Sequence, residues 1–258
     1  MAFGQRTFSV SGGLGTSYYY GDLTDGFTNS LVRPAVSVSG NYYVTPTLSF
    51  RAGITVGAFG AADSMSNDEG RQVRDLHFRS PIGELSGVLM YEFIRDKYFG
   101  IPWQRRKKAF SPYAFGGIAL FAFNPRANYQ GEWYALQPLG TEGQFIPDGD
   151  YPDPYSRVSV ALPFGGGVSV RVTPEIGLNF EIGYRMTFSD YLDDVSTDYP
   201  DFDALQQANG PVAVALSSSP YFATRPGAKR GNPGVDDSYF FTMVSATYYF
   251  SRYALRGN

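Results

Sequence analysis

The sequence has no cysteine in 258 residues. That excludes disulfides and structural thiolate metal sites, and it leaves no lipobox cysteine for a lipid-anchored mature N-terminus. The single histidine, His77, argues against a zinc site. No apolar run reaches the ~18 residues that a membrane-spanning helix needs, and mean hydropathy is only -0.22. Positive charge is not in excess: 21 Lys and Arg stand against 24 Asp and Glu, a net charge of -3, so no nucleic-acid partner is expected. Residues 1–6 show no charged segment followed by an apolar one. If the protein is exported, its signal peptide is expected to have been removed. The length suits one domain, taken as 1–258.

What is abundant is aromatic: 20 Tyr and 21 Phe, together with 30 Gly. Membrane barrels use Tyr and Phe in interfacial girdles and Gly where curved strands pack closely. Composition alone leaves a soluble β-sandwich or sugar-binding domain equally open. Alternation decides between them. Over 175–189, Ile176, Leu178, Phe180, Ile182, Tyr184, Met186 and Phe188 fall on one face, with Asn179, Glu181, Arg185 and Thr187 on the other. Some 15 residues is long for a globular strand but long enough to cross a bilayer at a tilt. The same period of two runs through 6–20, 32–44, 48–58, 84–93, 158–172 and 239–250. The segment 111–123 is apolar on both faces, so its facing is open. About eight strands result, an even number that can close without a free edge. The expected fold is all-β: an eight-stranded antiparallel transmembrane barrel with long extracellular loops. Its interior would be filled by side chains.

Connections alternate in length. The turns at 44–48 and 172–176 share a Val-Thr-Pro sequence, with Pro where φ near −65° suits and no strand donor is needed. The flanking segments match closely enough for an internal hairpin repeat, although convergence on a good turn explains them as well. The connections 21–31, 60–77, 124–156 and 190–238 are long and polar, and should be extracellular. The 95–109 link is longer than the other turns on the periplasmic side.

Four stretches stand out: YYYGDL at 18–23, FSPYAFGGIALFAFNP at 110–125, WYALQPLGTEGQ at 133–144 and GYRMTFSDYLDDVSTDYPD at 183–201, of which QPLGTEGQ and DYLDDVS with the YPD that follows it are distinctive. With them, nearly the whole chain resembles the PorG-type outer-membrane proteins of the Bacteroidetes type IX secretion system. That resemblance implies an outer-membrane barrel tied to a periplasmic ring of a secretion machine. Its partners would be outer-membrane lipid, lipopolysaccharide and periplasmic ring proteins or lipoproteins.

No catalytic residue, cofactor or metal is expected. Asp193, Asp194, Asp198 and Asp201 cluster in one loop, but their spacing is not that of a Ca²⁺ loop; solvated Asx-turns are the plainer reading. Asp190 or Asp194 could pair with Arg126 or Arg185. Trp103 with Arg105, Arg106, Lys107 and Lys108 forms a basic, aromatic patch suited to the membrane surface and alternatively to a periplasmic partner. His77 near Asp75, Ser80 and Glu84 could be read as a hydrolase relay, but an ordinary rim residue is the stronger reading. The inward face carries Arg51, Glu84, Glu92, Arg171, Glu181 and Arg185, which must neutralise one another locally, with Glu84/Arg51 and Glu181/Arg185/Arg171 as the expected groups. The function expected is non-catalytic anchoring of a type IX secretion assembly. The rivals are a stand-alone barrel for envelope integrity, adhesion or small-solute passage, and a barrel hydrolase using His77.

Overall fold

The computed structural model describes residues 8–24, 31–45, 47–94, 110–147, 149–173, 175–218 and 225–250. Eight strands make the barrel: β1 (Phe8–Tyr20), β2 (Arg33–Tyr43), β3 (Leu48–Ala62), β4 (His77–Glu92), β5 (Phe110–Phe123), β8 (Val158–Arg171), β9 (Ile176–Thr187) and β10 (Ser238–Tyr249). Between β5 and β8, β6 (Arg126–Tyr129) and β7 (Glu132–Ala135) form a hairpin joined to the wall by the β4–β6 pair Arg79↔Arg126. Each barrel strand pairs antiparallel with its neighbours, and β1 pairs with β10 from Ser9↔Tyr249 to Tyr20↔Ser238. The sheet therefore closes on itself and exposes no ladder edge, as a bilayer core requires.

Period two sets the two faces. Leu14, Val38, Ile54, Leu85, Leu89, Ile118, Phe180 and Val244 are exposed outward. Ser11, Thr55, Glu84, Glu181, Arg185 and Thr247 point inward and are buried. A polar inside and an apolar outside invert the arrangement of a soluble sandwich. The outside is stable only against hydrocarbon. Near the short turns, Phe8, Tyr42, Tyr91, Tyr248 and Phe250 ring the wall, with Phe8 and Phe250 stacked at 5.6 Å. At the opposite end Tyr18 stacks on Phe240 at 4.5 Å. These are interfacial girdles.

The strand with open facing, β5, turns Tyr113, Phe115, Ala119, Phe121 and Phe123 inward and Ile118 and Leu120 outward. Both its faces are apolar because its inner face helps fill the barrel. The matching turns adopt one conformation. Val44 and Thr45 both donate backbone N–H to Leu48 O, and Val172 and Thr173 do the same to Ile176 O. The Thr45 and Thr173 hydroxyls accept from the Leu48 and Ile176 amides at 2.9 and 3.0 Å. The Thr hydroxyls close this turn; Pro46 and Pro174 lie outside the described residues.

The expected 60–77 loop is shorter than its sequence suggested. β3 and β4 stay paired from Leu48↔Tyr91 to Ala62↔His77, so the wall rises above the bilayer there. The connection above this pair holds α1 (Glu69–Arg74), and the described parts of the later long loops hold the β6–β7 hairpin, α2 (Phe202–Asn209) and α3 (Pro211–Ser217). Asp68 caps α1 by accepting from Arg71 N, and Asp201 caps α2 by accepting from Ala204 N.

Candidate functional site: a filled lumen under a folded cap

The barrel interior is a stack of side chains. At the periplasmic end the Arg171 guanidinium lies 3.4 Å from the centre of the Tyr249 ring, and Glu92 accepts from the Ser111 hydroxyl at 3.0 Å. Above them lies a hydroxyl and amide layer. Ser11 and Thr247 bond at 2.7 Å, while Asn41 donates to Ser9 and Ser11 and Asn179 donates to Ser245 and Thr247. This layer lines a cavity of about 60 Å³. That is room for waters and far below the roughly 300 Å³ where small-ligand pockets begin.

Two ion pairs come next, and both differ from the grouping expected from sequence. Arg51 donates both terminal nitrogens to Glu181 at 2.6 and 3.0 Å, and Tyr113 donates to the same carboxylate at 2.9 Å. Arg185 donates to Glu84 at 3.0 and 3.1 Å, where Tyr239 adds a bond of 2.9 Å. The expected Glu84/Arg51 and Glu181/Arg185/Arg171 groupings are thus corrected. Salt bridges across a narrow barrel join residues at one height on opposite walls, and one-strand alternation carries no information about height. Glu84 is fully buried. Higher still, Tyr19, Phe59, Phe78, Phe121, Tyr239 and Phe241 are all at most 2% exposed and pack edge and face against one another. Among the described residues this aromatic plug fills the barrel above the ion pairs.

The loops above the plug form a cap built from the two most distinctive stretches of sequence. From QPLGTEGQ, the Thr141 hydroxyl donates to Asp194. Glu142, fully buried, accepts from Ser196 N at 2.9 Å, from Thr197 N at 3.1 Å, from the Thr197 hydroxyl at 2.7 Å and from Arg230 at 2.9 Å. Gln144 accepts from Glu142 N at 3.0 Å. From DYLDDVS, Asp194 accepts from Tyr155 at 2.6 Å and lies 3.8 Å from Arg230. Burial, partly offset by Arg230 and the two hydroxyl donors, pushes the Asp194 carboxyl up to about 6. Glu142 and Asp194 hold the Arg230 guanidinium in its charged form against burial. Arg74 ties the cap to the wall. It donates to Asp63 at 2.6 and 2.7 Å, to Arg230 O at 2.7 Å and to Asp22 O at 3.3 Å.

Several sequence expectations change accordingly. Asp194 pairs with Arg230, not with Arg126 or Arg185; Arg185 is committed to Glu84. The four loop aspartates serve different partners. Asp193 accepts from Tyr19, Asp194 joins the Arg230 network, Asp198 meets Lys229 only through an isolated backbone β-bridge, and Asp201 caps α2. His77 Nε2 accepts from Asn128 N at 3.1 Å. The Ser80 hydroxyl accepts from Asn124 N at 2.9 Å, and Glu84 is turned to Arg185. These three therefore make no relay. Trp103, Arg105, Arg106, Lys107 and Lys108 lie outside the described residues. Arg230, Arg74, Asp63 and Asp237 were not singled out from sequence, and Tyr19 only as part of YYYGDL. Only the Lys229-Arg230 pair ahead of Gly231 marked Arg230.

Glu142 is the keystone of this network. Glu142→Gln replaces one acceptor oxygen by a donor facing donors. It should favour opening of the 190–218 segment by about 2 kcal/mol, roughly thirtyfold in cleavage by added protease, with the barrel intact. Limited proteolysis of the protein in lipid checks this.

Residues 8–212 match the family model described as Domain of unknown function (DUF6089). Among curated proteins no sequence matches the chain. Solved structures similar to it include Neisserial surface protein A (11% identity, TM-score 0.47, covering 94% of this chain and 97% of that one). Ail, the attachment invasion locus protein of Yersinia pestis, in complex with the heparin analogue sucrose octasulfate, gives 10% identity, TM-score 0.44 and coverage of 95% and 100%. The N-terminal β-barrel domain of Pseudomonas aeruginosa OprF gives 10%, 0.38, and 95% and 98%. The apolar belt, closed ladder and polar interior themselves place the chain in a bacterial outer membrane. In barrels of this kind short turns face the periplasm and long loops face outward.

Proposed function

This chain belongs to the DUF6089 family, and on that premise we propose that it is a non-catalytic anchor that holds or stabilises a type IX protein secretion assembly at the outer membrane. The observation that carries this reading is the occupied interior. From the Arg51–Glu181 level to the Arg230 network the barrel is filled with paired charges and aromatics. A barrel filled in this way works through its surfaces, not its lumen. The resemblance to PorG-type proteins, carried by QPLGTEGQ and DYLDDVS, supplies the assembly. Both stretches build the cap, so what the resemblance marks is a structured outer face. The periplasmic surface proposed for ring proteins or lipoproteins is the 95–109 link with its basic run.

Crosslinking in native membranes followed by purification tests this. Periplasmic ring lipoproteins should co-purify. Charge reversal at Arg105, Arg106, Lys107 and Lys108 should weaken that capture without unfolding the barrel. Capture of no secretion component would overturn the proposal. A second reading, adhesion by a stand-alone barrel, is favoured by the exposed Trp133, Phe145 and Val235 on the cap. Intact secretion together with lost surface attachment in a deletion strain would select it. Small-solute passage fits the plug poorly: in a planar bilayer the purified protein should give no single-channel conductance steps.

A further inference from the structure

Where the cap meets the plug, one phenol faces two carboxylates. Tyr19 Oη lies 2.5 Å from Asp193 Oδ2 and 2.8 Å from Asp237 Oδ1. Both aspartates are at most 1% exposed. Their other oxygens are committed: Asp193 Oδ1 accepts from Val195 N at 2.9 Å and Asp237 Oδ2 from Leu192 N at 2.8 Å. Tyr19 carries one hydroxyl hydrogen, so it can donate to one carboxylate only. The second close oxygen–oxygen contact needs a hydrogen of its own, and only a protonated carboxyl can supply it.

A further observation is independent of this hydrogen count. Asp190 is buried to 8% exposure, and neither of its carboxylate oxygens has a hydrogen-bond partner; the Ser196 side chain offsets part of the cost of its burial. Its charge acts on both Asp193 and Asp237. The space is too tight for a hydrated ion: a Cβ on Gly21 would lie 1.8 Å from Asp237 Oδ1 and 2.0 Å from Tyr19 Oη.

We propose that the Asp193–Tyr19–Asp237 cluster is a proton-binding site that fastens the cap to the barrel, and that loss of its proton releases the cap.

The surrounding charges agree. Asp22 from the β1–β2 connection and Asp190 from the same loop act against ionisation of Asp193. Asp22, Asp236 and Glu142 act on Asp190. Arg74 at the end of α1 feels the charge of Asp193, but its hydrogen bonds go to Asp63, Arg230 O and Asp22 O. Arg230 is held by Glu142 and Asp194. Burial raises Asp193 and Asp237 well above the ordinary carboxylate range, and raises Asp190 to about 7. The sign follows. Groups with a raised folded pKa hold their proton more tightly in the closed cap, so their contribution is complete below about pH 4. It declines as pH rises and is lost on passing the closed-state pKa.

The test uses the full chain in phosphatidylcholine bilayers. Infrared spectra at pH 8 should show a protonated-carboxyl band that shifts in heavy water and disappears in Asp193→Asn and in Asp237→Asn. Protease cleavage within 190–218 should rise about tenfold per pH unit once the site titrates. Either single variant should keep the cap closed at alkaline pH, because an Asn amide donates the missing hydrogen to Tyr19 while its carbonyl keeps the backbone bond. The double variant leaves the Tyr19 hydroxyl hydrogen without an acceptor and should be open at every pH. No such band in the unaltered protein, or the same pH dependence in the single variants, overturns the proposal. So does protection that follows calcium and chelator at fixed pH without the band, which would mean a bound cation.

Discussion

Arg185→Met should destabilise the barrel by about 3–5 kcal/mol, the cost of leaving a buried charge without its partner. Arg185 supplies two of the three hydrogen bonds to the Glu84 carboxylate, and Glu84 is fully buried. Without the guanidinium, Glu84 must either keep an unpaired charge beside Phe241 and Phe121 or take up a proton. The companion change separates the charge from the packing. Glu84→Gln with Arg185→Met removes both charges and keeps an acceptor for Tyr239, so most of the lost stability should return. Arg51→Met should cost less, because the Arg51–Glu181 pair borders the water-sized cavity and is partly accessible. Urea unfolding in lipid vesicles, followed by the heat-dependent gel mobility of folded barrels, ranks the variants. A double variant no more stable than Arg185→Met would refute the pairing as the cause.

Ile54→Arg should cost about 2–4 kcal/mol, the depth-dependent penalty of placing a guanidinium on the lipid face near the bilayer midplane. Ile54 is at the middle of β3, pairs with Leu85 of β4, and both are more than half exposed on the outer wall. The same substitution at Val44, near the short-turn end, should cost at most about 1 kcal/mol because the side chain reaches headgroups. The gradient between the two positions carries the test. Equal costs would mean that the outer face does not lie in hydrocarbon.

How much of this was legible in the sequence follows from the range over which each feature is encoded. Alternation is local. From it 175–189 declares which residues face out, and the Val-Thr-Pro turns declare the short side. The facing of 111–123 was not legible, because Phe115, Phe121 and Phe123 fill the lumen and erase the polar half of the pattern. Partners across the lumen were not legible either. Arg51 meets Glu181 across 130 residues of chain and Arg185 meets Glu84 across 101, and which heights coincide depends on strand stagger around the whole barrel. The cap was the least visible part. QPLGTEGQ and DYLDDVS stand out as strings, yet nothing local says that Glu142 receives the amides of Ser196 and Thr197, or that Arg230 completes the set. Loops that read as polar and irregular are held by charges whose partners come from other loops.

The most direct measurement is nitroxide scanning along 50–58 of β3 in lipid bilayers, comparing accessibility to oxygen with accessibility to a water-soluble nickel chelate. Labels at Phe50, Ala52, Ile54, Val56 and Ala58 should be open to oxygen and closed to nickel, and those at Arg51, Gly53, Thr55 and Gly57 should report neither or prevent folding. Nickel accessibility at the even positions would contradict a lipid-facing wall around a filled interior.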